Sequence, residues 1–222
     1  DAFVISSATN INKIIIGASV SSISPKAFTT FSESEMDHLS YLTQFEVDER
    51  NARFRSVDGV LFNKKCDTIL RYPPKKAGTV YSIPYCIAKV ASYAFADCRL
   101  LRIVEIGEKV ETIENDAFFN SSLQAIKVNS NTENYTSYEY ALFSKNMEEL
   151  IRFPKRCSTI NFVIPTGVKS ISENAFYGCN NLKSVSIPLT VTQIGSKAFS
   201  HCYHMSTVTY GRKDIYRDLS LM

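Results

Sequence analysis

Sliding the 222-residue sequence along itself by 81 positions lays residues 57–118 onto 138–199 without a gap, with 17 identities in 62 pairs. The identities are patterned: Leu61/Leu142, Phe62/Phe143, Arg71/Arg152, Pro73/Pro154, Ile83-Pro84/Ile164-Pro165, Cys98/Cys179, Leu101/Leu182 and Val104/Val185 all recur. A chain assembled from such units does not close around one central core. Each unit leaves an apolar face that only the next unit can cover, so the units must stack.

A shorter unit lies inside the long one. Ala-Phe pairs occur at 27–28, 94–95, 117–118, 175–176 and 198–199, and the steps from Phe95 to Phe118 and from Phe176 to Phe199 are 23 residues. The unit is clearest from Leu182: Leu182, Val185, Ile187-Pro188, Val191, Ile194, Ala198-Phe199, Cys202. Val185-x-Ile187 alternates with period two, as a half-buried strand does, and Pro188 ends that strand because it has no N–H for the ladder. Val191 to Phe199 places apolar residues at i, i+3, i+7 and i+8, which suits an arc of turns or a short helix returning to the start. At an offset of 90, Ile16, Val20, Ile23 and Ala27-Phe28 match Ile106, Val110, Ile113 and Ala117-Phe118. The extra nine residues fall between Phe28 and Leu42 and contain Glu33, Glu35, Asp37 and His38, which read as a solvated excursion from one turn.

A second block, Val60-Leu61-Phe62-Asn63-Lys64 leading to Ile69-Leu70-Arg71-Tyr72-Pro73, recurs as Ala141-Leu142-Phe143-Ser144-Lys145 leading to Leu150-Ile151-Arg152-Phe153-Pro154. Turn-forming residues between short β-rich runs predict a hairpin in each. Both kinds of block together resemble the BspA-like leucine-rich repeat proteins, a surface adhesin-type family of anaerobic bacteria and parasitic protists. The resemblance covers about residues 11 to 210. It implies a strand-rich leucine-rich-repeat solenoid, a right-handed superhelix with short helices or turns on the convex side. It also implies one domain over 1–222: an N-terminal edge at 1–11, repeats over 12–210, and a C-terminal cap or junction at 211–222. In such repeats a Cys slot turns inward and satisfies backbone groups of the neighbouring coil, the role implied for Cys98, Cys179 and Cys202. Cys66, Cys86 and Cys157 lie outside that slot, and a disulfide among them stays open.

Charge excludes several functions. Twenty-five Lys and Arg against 22 Asp and Glu leave +3 with no long block of either sign, so no polybasic patch for nucleic acid or anionic lipid is expected. The longest apolar stretch near the N-terminus, Ile14 to Gly17, falls far short of the ~20 residues that span a bilayer. The chain opens at Asp1 without a charged-then-apolar leader, as expected of a mature product or an excised fragment. No nucleophile elbow, phosphate loop, dinucleotide fingerprint or zinc-helix motif is present, and no catalytic residue, metal site or cofactor is expected. His201-Cys202-Tyr203-His204 packs three potential metal ligands into four residues, but Cys202 occupies the repeat slot, which favours a structural role. Asn120-Ser121-Ser122 and Asn134-Tyr135-Thr136 are N-glycosylation sequons, relevant only to a eukaryotic secreted chain.

What remains for function is surface. Taking Val104, Ile106, Val185 and Ile187 as inward, the alternate positions give an apolar row of Ile69, Tyr81, Ile103, Ala125, Leu150 and Phe162. At ~4.8 Å per strand this strip would run about 24 Å, flanked by Arg71, Glu105, Lys127 and Arg152. It is the expected protein-binding concave face. The resemblance implies a non-enzymatic, cell-surface or secreted adhesin-like module contacting host or matrix proteins. An intracellular leucine-rich-repeat scaffold binding a partner protein is the alternative.

Overall fold

The computed structural model describes residues 11–28, 41–211 and the backbone of 216–217. The excursion with Glu33, Glu35, Asp37 and His38, the N-terminal edge and most of the C-terminal tail lie outside the described residues. The chain divides into two compact units, residues 1–102 with 109–122, and residues 103–108 with 123–222.

Each unit is built from short strands joined by turns, and the described residues contain no helix. The arcs expected as short helices or turns are turns, ending in the Ala-Phe pairs. Two kinds of sheet recur. The first is parallel, made of one strand per coil. In the second unit it joins Asn161–Val163, Ser184–Ile187 and Thr207–Tyr210, with Phe162 opposite Val185 and Val185 opposite Val208. Ile103–Ile106 and Ala125–Val128 pair in the same way, Val104 opposite Ile126. In the first unit Lys13–Ile16 and Gln44–Val47 do so, Ile14 opposite Phe45.

The second kind of sheet begins as an antiparallel hairpin and continues as a parallel ladder. In the first unit it runs Phe54–Val57, Val60–Asn63, Thr68–Arg71, Lys89–Val90, Thr112–Ile113. In the second unit it runs Tyr135–Tyr138, Ala141–Ser144, Glu149–Arg152, Ser170–Ile171, Gln193–Ile194. The predicted hairpins are present, with Phe62 opposite Ile69 and Phe143 opposite Leu150. Each gains an outer strand, Phe54–Val57 or Tyr135–Tyr138, that lacks a clear alternating pattern and was not expected from the sequence.

The cores are columns, as a stacked repeat requires. In the second unit Phe153, Phe176 and Phe199 stack, with centroids 5.4 and 4.9 Å apart and planes 25° and 8° from parallel. In the first, Tyr72, Phe95 and Phe118 form the matching column at 5.7 and 5.5 Å. A ring from the parallel sheet closes each column edge-on, Tyr81 on Tyr72 at 4.9 Å and Phe162 on Phe153 at 4.8 Å. All eight rings occupy positions related by the 81-residue repeat.

Candidate functional site

The expected apolar strip does not form. Ile69, Leu150 and Phe162 are buried, as are Arg71, Arg152 and Ala125. Two physical reasons account for all of these but Ala125, which shares the register of outward Ile103 and is nonetheless buried. Ile69, Arg71, Leu150 and Arg152 lie on the hairpin sheets, not on the parallel sheets that carry Ile103 and Lys127. Within Asn161–Val163, moreover, the middle residue faces the core, and a one-residue slip in assumed register sends every side chain to the opposite face. Tyr81 is half-buried by the same parity, lying over Tyr72 and Phe95. Ile103 and Glu105 are on the outer face as expected, and the Lys127 ammonium stands 3.9 Å from the Glu105 carboxylate across the pair of strands.

The two arginines, expected at the surface, instead hold the interior together. Arg71 donates from Nη1 to the Tyr93 carbonyl and from Nη2 to the Phe28 carbonyl at 2.6 Å, and the Asp97 carboxylate lies 3.8 Å from Nη2. Arg152 donates from Nη1 to the Asn174 carbonyl. Tyr93 and Asn174 are equivalent residues with left-handed backbones just before the Ala-Phe pairs, so each guanidinium ties down the turn that opens the next coil. A planar cation with five fixed donors is suited to collecting carbonyls in this way. An arginine kept at the same place in both copies of an otherwise apolar block was the available signal.

The cysteine slot points inward. Cys98 Sγ lies 3.6 Å from the Ala96 carbonyl oxygen and 3.9 Å from that of Tyr72. Cys179 Sγ is 3.7 Å from the Phe153 oxygen, and Cys202 Sγ is 2.9 Å from the Phe176 oxygen. Burial pushes the Cys98 thiol up to about 12, and burial raises Cys179 and Cys202 as well, so all three stay protonated and unreactive near neutral pH. Beside Cys202, His201 Nδ1 meets the Tyr203 hydroxyl at 2.5 Å and His204 Nδ1 meets the Asn180 carbonyl at 2.9 Å. The three candidate ligands therefore turn to separate partners. Of the sequon asparagines, Asn120 donates to the Asp97 carboxylate at 2.8 Å, while Asn134 is exposed at the start of the outer hairpin strand.

The surface that the second unit offers is the outer side of its parallel sheet. Two rows cross it, Asn161/Ser184/Thr207 and Val163/Ser186/Thr209. The first row is laced laterally, Ser184 Oγ donating to Asn161 Oδ1 at 2.7 Å, and in the second Ser186 and Thr209 hydroxyls meet at 2.9 Å. Val163 is 65% exposed, and Ile160, Leu189 and Tyr210 expose half or more of their surface near the sheet edges. No charged side chain lies in either row.

Stacked coils of one strand and one turn-rich arc, an inward Cys slot and an aromatic column define a leucine-rich-repeat protein. The chain belongs to the BspA type leucine rich repeat region family, whose sequence profile matches residues 77–161 and 149–217 in six copies. Among solved structures it is similar to a leucine rich cell surface protein from Faecalibacterium prausnitzii, at 25% identity and TM-score 0.60, covering 93% of this chain and 49% of that one. It also resembles a leucine-rich repeat protein from Eubacterium ventriosum, at 20% identity and TM-score 0.54 over 91% of this chain and 54% of the other. The pneumococcal vaccine antigen PcpA shares the fold at 17% identity and TM-score 0.55, over 90% and 39%. The chain thus spans about half the length of these proteins or less. No curated protein sequence matches it significantly. No helix among the described residues is long and apolar enough to cross a membrane.

Proposed function

We propose that this chain is a non-enzymatic protein-binding segment of a larger cell-surface protein, of adhesin type, and that it engages host or matrix proteins through the outer face of strands Asn161–Val163, Ser184–Ile187 and Thr207–Tyr210. The observation that carries this reading is the composition of that face. It is uncharged, and its short side chains sit on paired strands. Side chains with little rotamer freedom lose little entropy on docking. The Ser184 hydroxyl already bonds Asn161 and the Ser186 hydroxyl bonds Thr209, so a partner can cover these groups without stranding them. Val163 supplies exposed apolar surface of the kind that anchors interfaces. The cell-surface assignment is supported by the family and by the Faecalibacterium relative.

The test is a binding assay of the purified chain on immobilised matrix proteins and intact host cells, repeated with Val163→Glu and Ser186→Glu. Binding should fall at least tenfold in each variant. Undiminished binding by both folded variants would discard this face as the docking surface.

A further inference from the structure

A second, independent feature lies in the first unit, where two of the cysteines outside the repeat slot meet. Strands Thr68–Arg71 and Lys89–Val90 pair in parallel with Thr68 opposite Lys89, and the Asp67 carbonyl accepts from both Ala88 N (2.8 Å) and Lys89 N (3.0 Å). Cys66 immediately precedes Asp67, closing the hairpin turn by donating its N–H to Asn63 O at 3.0 Å with a left-handed φ of 62°. Cys86 sits in the turn where Ile87 N donates to Pro84 O at 3.0 Å, two residues before Ala88. The two turns are thereby pinned side by side at the rim of the sheet. Burial and a hydrogen bond with the Cys86 thiol raise the Cys66 thiol above its ordinary value, consistent with direct contact.

We propose that Cys66 and Cys86 form an intramolecular disulfide when the chain meets an oxidising environment. Burial and accessibility separate this pair from the other four cysteines. Cys98, Cys157 and Cys179 are buried, and Cys202 has its thiol 2.9 Å from a backbone oxygen, whereas Cys86 is exposed and Cys66 partly so. In the second copy of the repeat, Met147 and Gly167 stand at the equivalent positions, so the cross-link belongs to one copy alone. The chemistry needs an external oxidant of the low-molecular-weight disulfide class, RSSR. The Cys86 thiolate attacks one sulfur, forming a mixed disulfide and expelling one thiolate. Cys66 then loses its proton and attacks the Cys86 sulfur, expelling the second thiolate. The sum is two protein thiols plus RSSR giving one protein disulfide plus two RSH. The bond closes a loop of about 20 residues, and closing a loop of that size raises the melting temperature by about 10 °C.

The experiment is incubation of the purified chain with oxidised glutathione, followed by denaturation, alkylation and non-reducing peptide mapping, alongside Cys66→Ser and Cys86→Ser. The wild type should release two glutathione equivalents per chain, yield one linked peptide joining Cys66 to Cys86, and keep four alkylatable cysteines. Cys66→Ser should instead retain glutathione on Cys86. Six alkylatable thiols in the oxidised wild type, a stable glutathione adduct on its Cys86, or a linkage involving any other cysteine would each overturn the proposal.

Discussion

The two copies of the 81-residue repeat can be compared position by position, and they agree where the backbone must be held and diverge where polar groups decorate it. Tyr72, Phe95 and Phe118 in the first match Phe153, Phe176 and Phe199 in the second, and the edge-on closing ring has nearly the same geometry, 63° against 61°. Both copies keep the arginine that gathers the carbonyl before the Ala-Phe turn. Around that arginine they part: Asp97 faces Arg71, but the equivalent position beside Arg152 is Gly178. The hairpin turn differs too, since left-handed Gly59 in the first copy is Tyr140, with φ 69°, in the second. A Cβ at Gly59 would stand 2.9 Å from the Gln44 Cβ, so the first copy has no room for the tyrosine that the second displays. Stacking therefore dictates the column and the guanidinium, and it leaves compensation of charge and turn chemistry to each coil.

If that equivalence is real, the largest effects should be equal in the two copies. Phe95→Ala and Phe176→Ala each remove a fully buried ring and should cost ~3–5 kcal/mol in denaturant unfolding. A near-neutral result for either would break the comparison. The next effect should be unequal. Asp97→Gly, which installs the second copy's residue in the first, removes the carboxylate facing a buried guanidinium and should cost about 2–3 kcal/mol. The reciprocal Gly178→Asp should stay within about 1 kcal/mol, because its backbone is already in the left-handed region that Asp97 adopts. Only the flexible end of Lys155 must then move, because its Cε lies 2.8 Å from the place the new Cβ would take. Equal losses for the two swaps would show that the Asp97 carboxylate has no specific role.

A third difference is steric. Gly195 brings its coil so close to the previous one that a Cβ would stand 2.3 Å from the Glu173 backbone nitrogen, and Glu114 occupies the equivalent place in the first copy. Gly195→Ala should destabilise by about 1–3 kcal/mol as the coils are forced apart, measured as a fall in Tm. The smallest effect concerns acid. Hydrogen bonds from Asn63 (2.6 Å) and Thr68 (2.9 Å) hold the Asp67 carboxyl below its ordinary 3.8. A folded-state value below the unfolded one contributes stability that is present above pH 3.8 and is lost as pH falls through the lowered value. Asn63→Ser, the second copy's residue, should therefore be less stable than wild type near neutrality, and the gap should narrow on acidification to the part owed to the Asp67 and Thr68 N–H groups that Asn63 Oδ1 accepts. A gap that is constant with pH would dissociate Asn63 from that carboxylate.

Much of this fold was legible because repetition amplifies it. One Ala-Phe pair means little, but five at related spacings imply a column, and Phe176 stacks on Phe199 as a column requires. The hairpins were legible for the same reason, from two parallel blocks with turn residues between. Registers inside the short strands were not. Asn161–Val163 has three residues, too few for alternation to fix parity, and a phenylalanine flanked by Asn and Val suits either face until Val185 is seen opposite it. Arg71 and Arg152 read as surface because charge usually marks solvent. Their burial depends on carbonyls supplied by Phe28, Tyr93 and Asn174, from other coils. The side-chain hydrogen bonds across the outer face were equally hidden, since partners such as Ser184 and Asn161 are 23 residues apart.

The register of that one strand decides which side chains a partner can touch, and a pair of adjacent substitutions reads it directly. Phe162→Asp should abolish cooperative unfolding or lower Tm by well over about 10 °C, because it places a carboxylate against Phe153 and Phe176. Val163→Asp, one residue away on the exposed face, should shift Tm by no more than about 2 °C. A stable, folded Phe162→Asp protein beside an unfolded Val163→Asp one would contradict the assigned register and with it the proposed binding face.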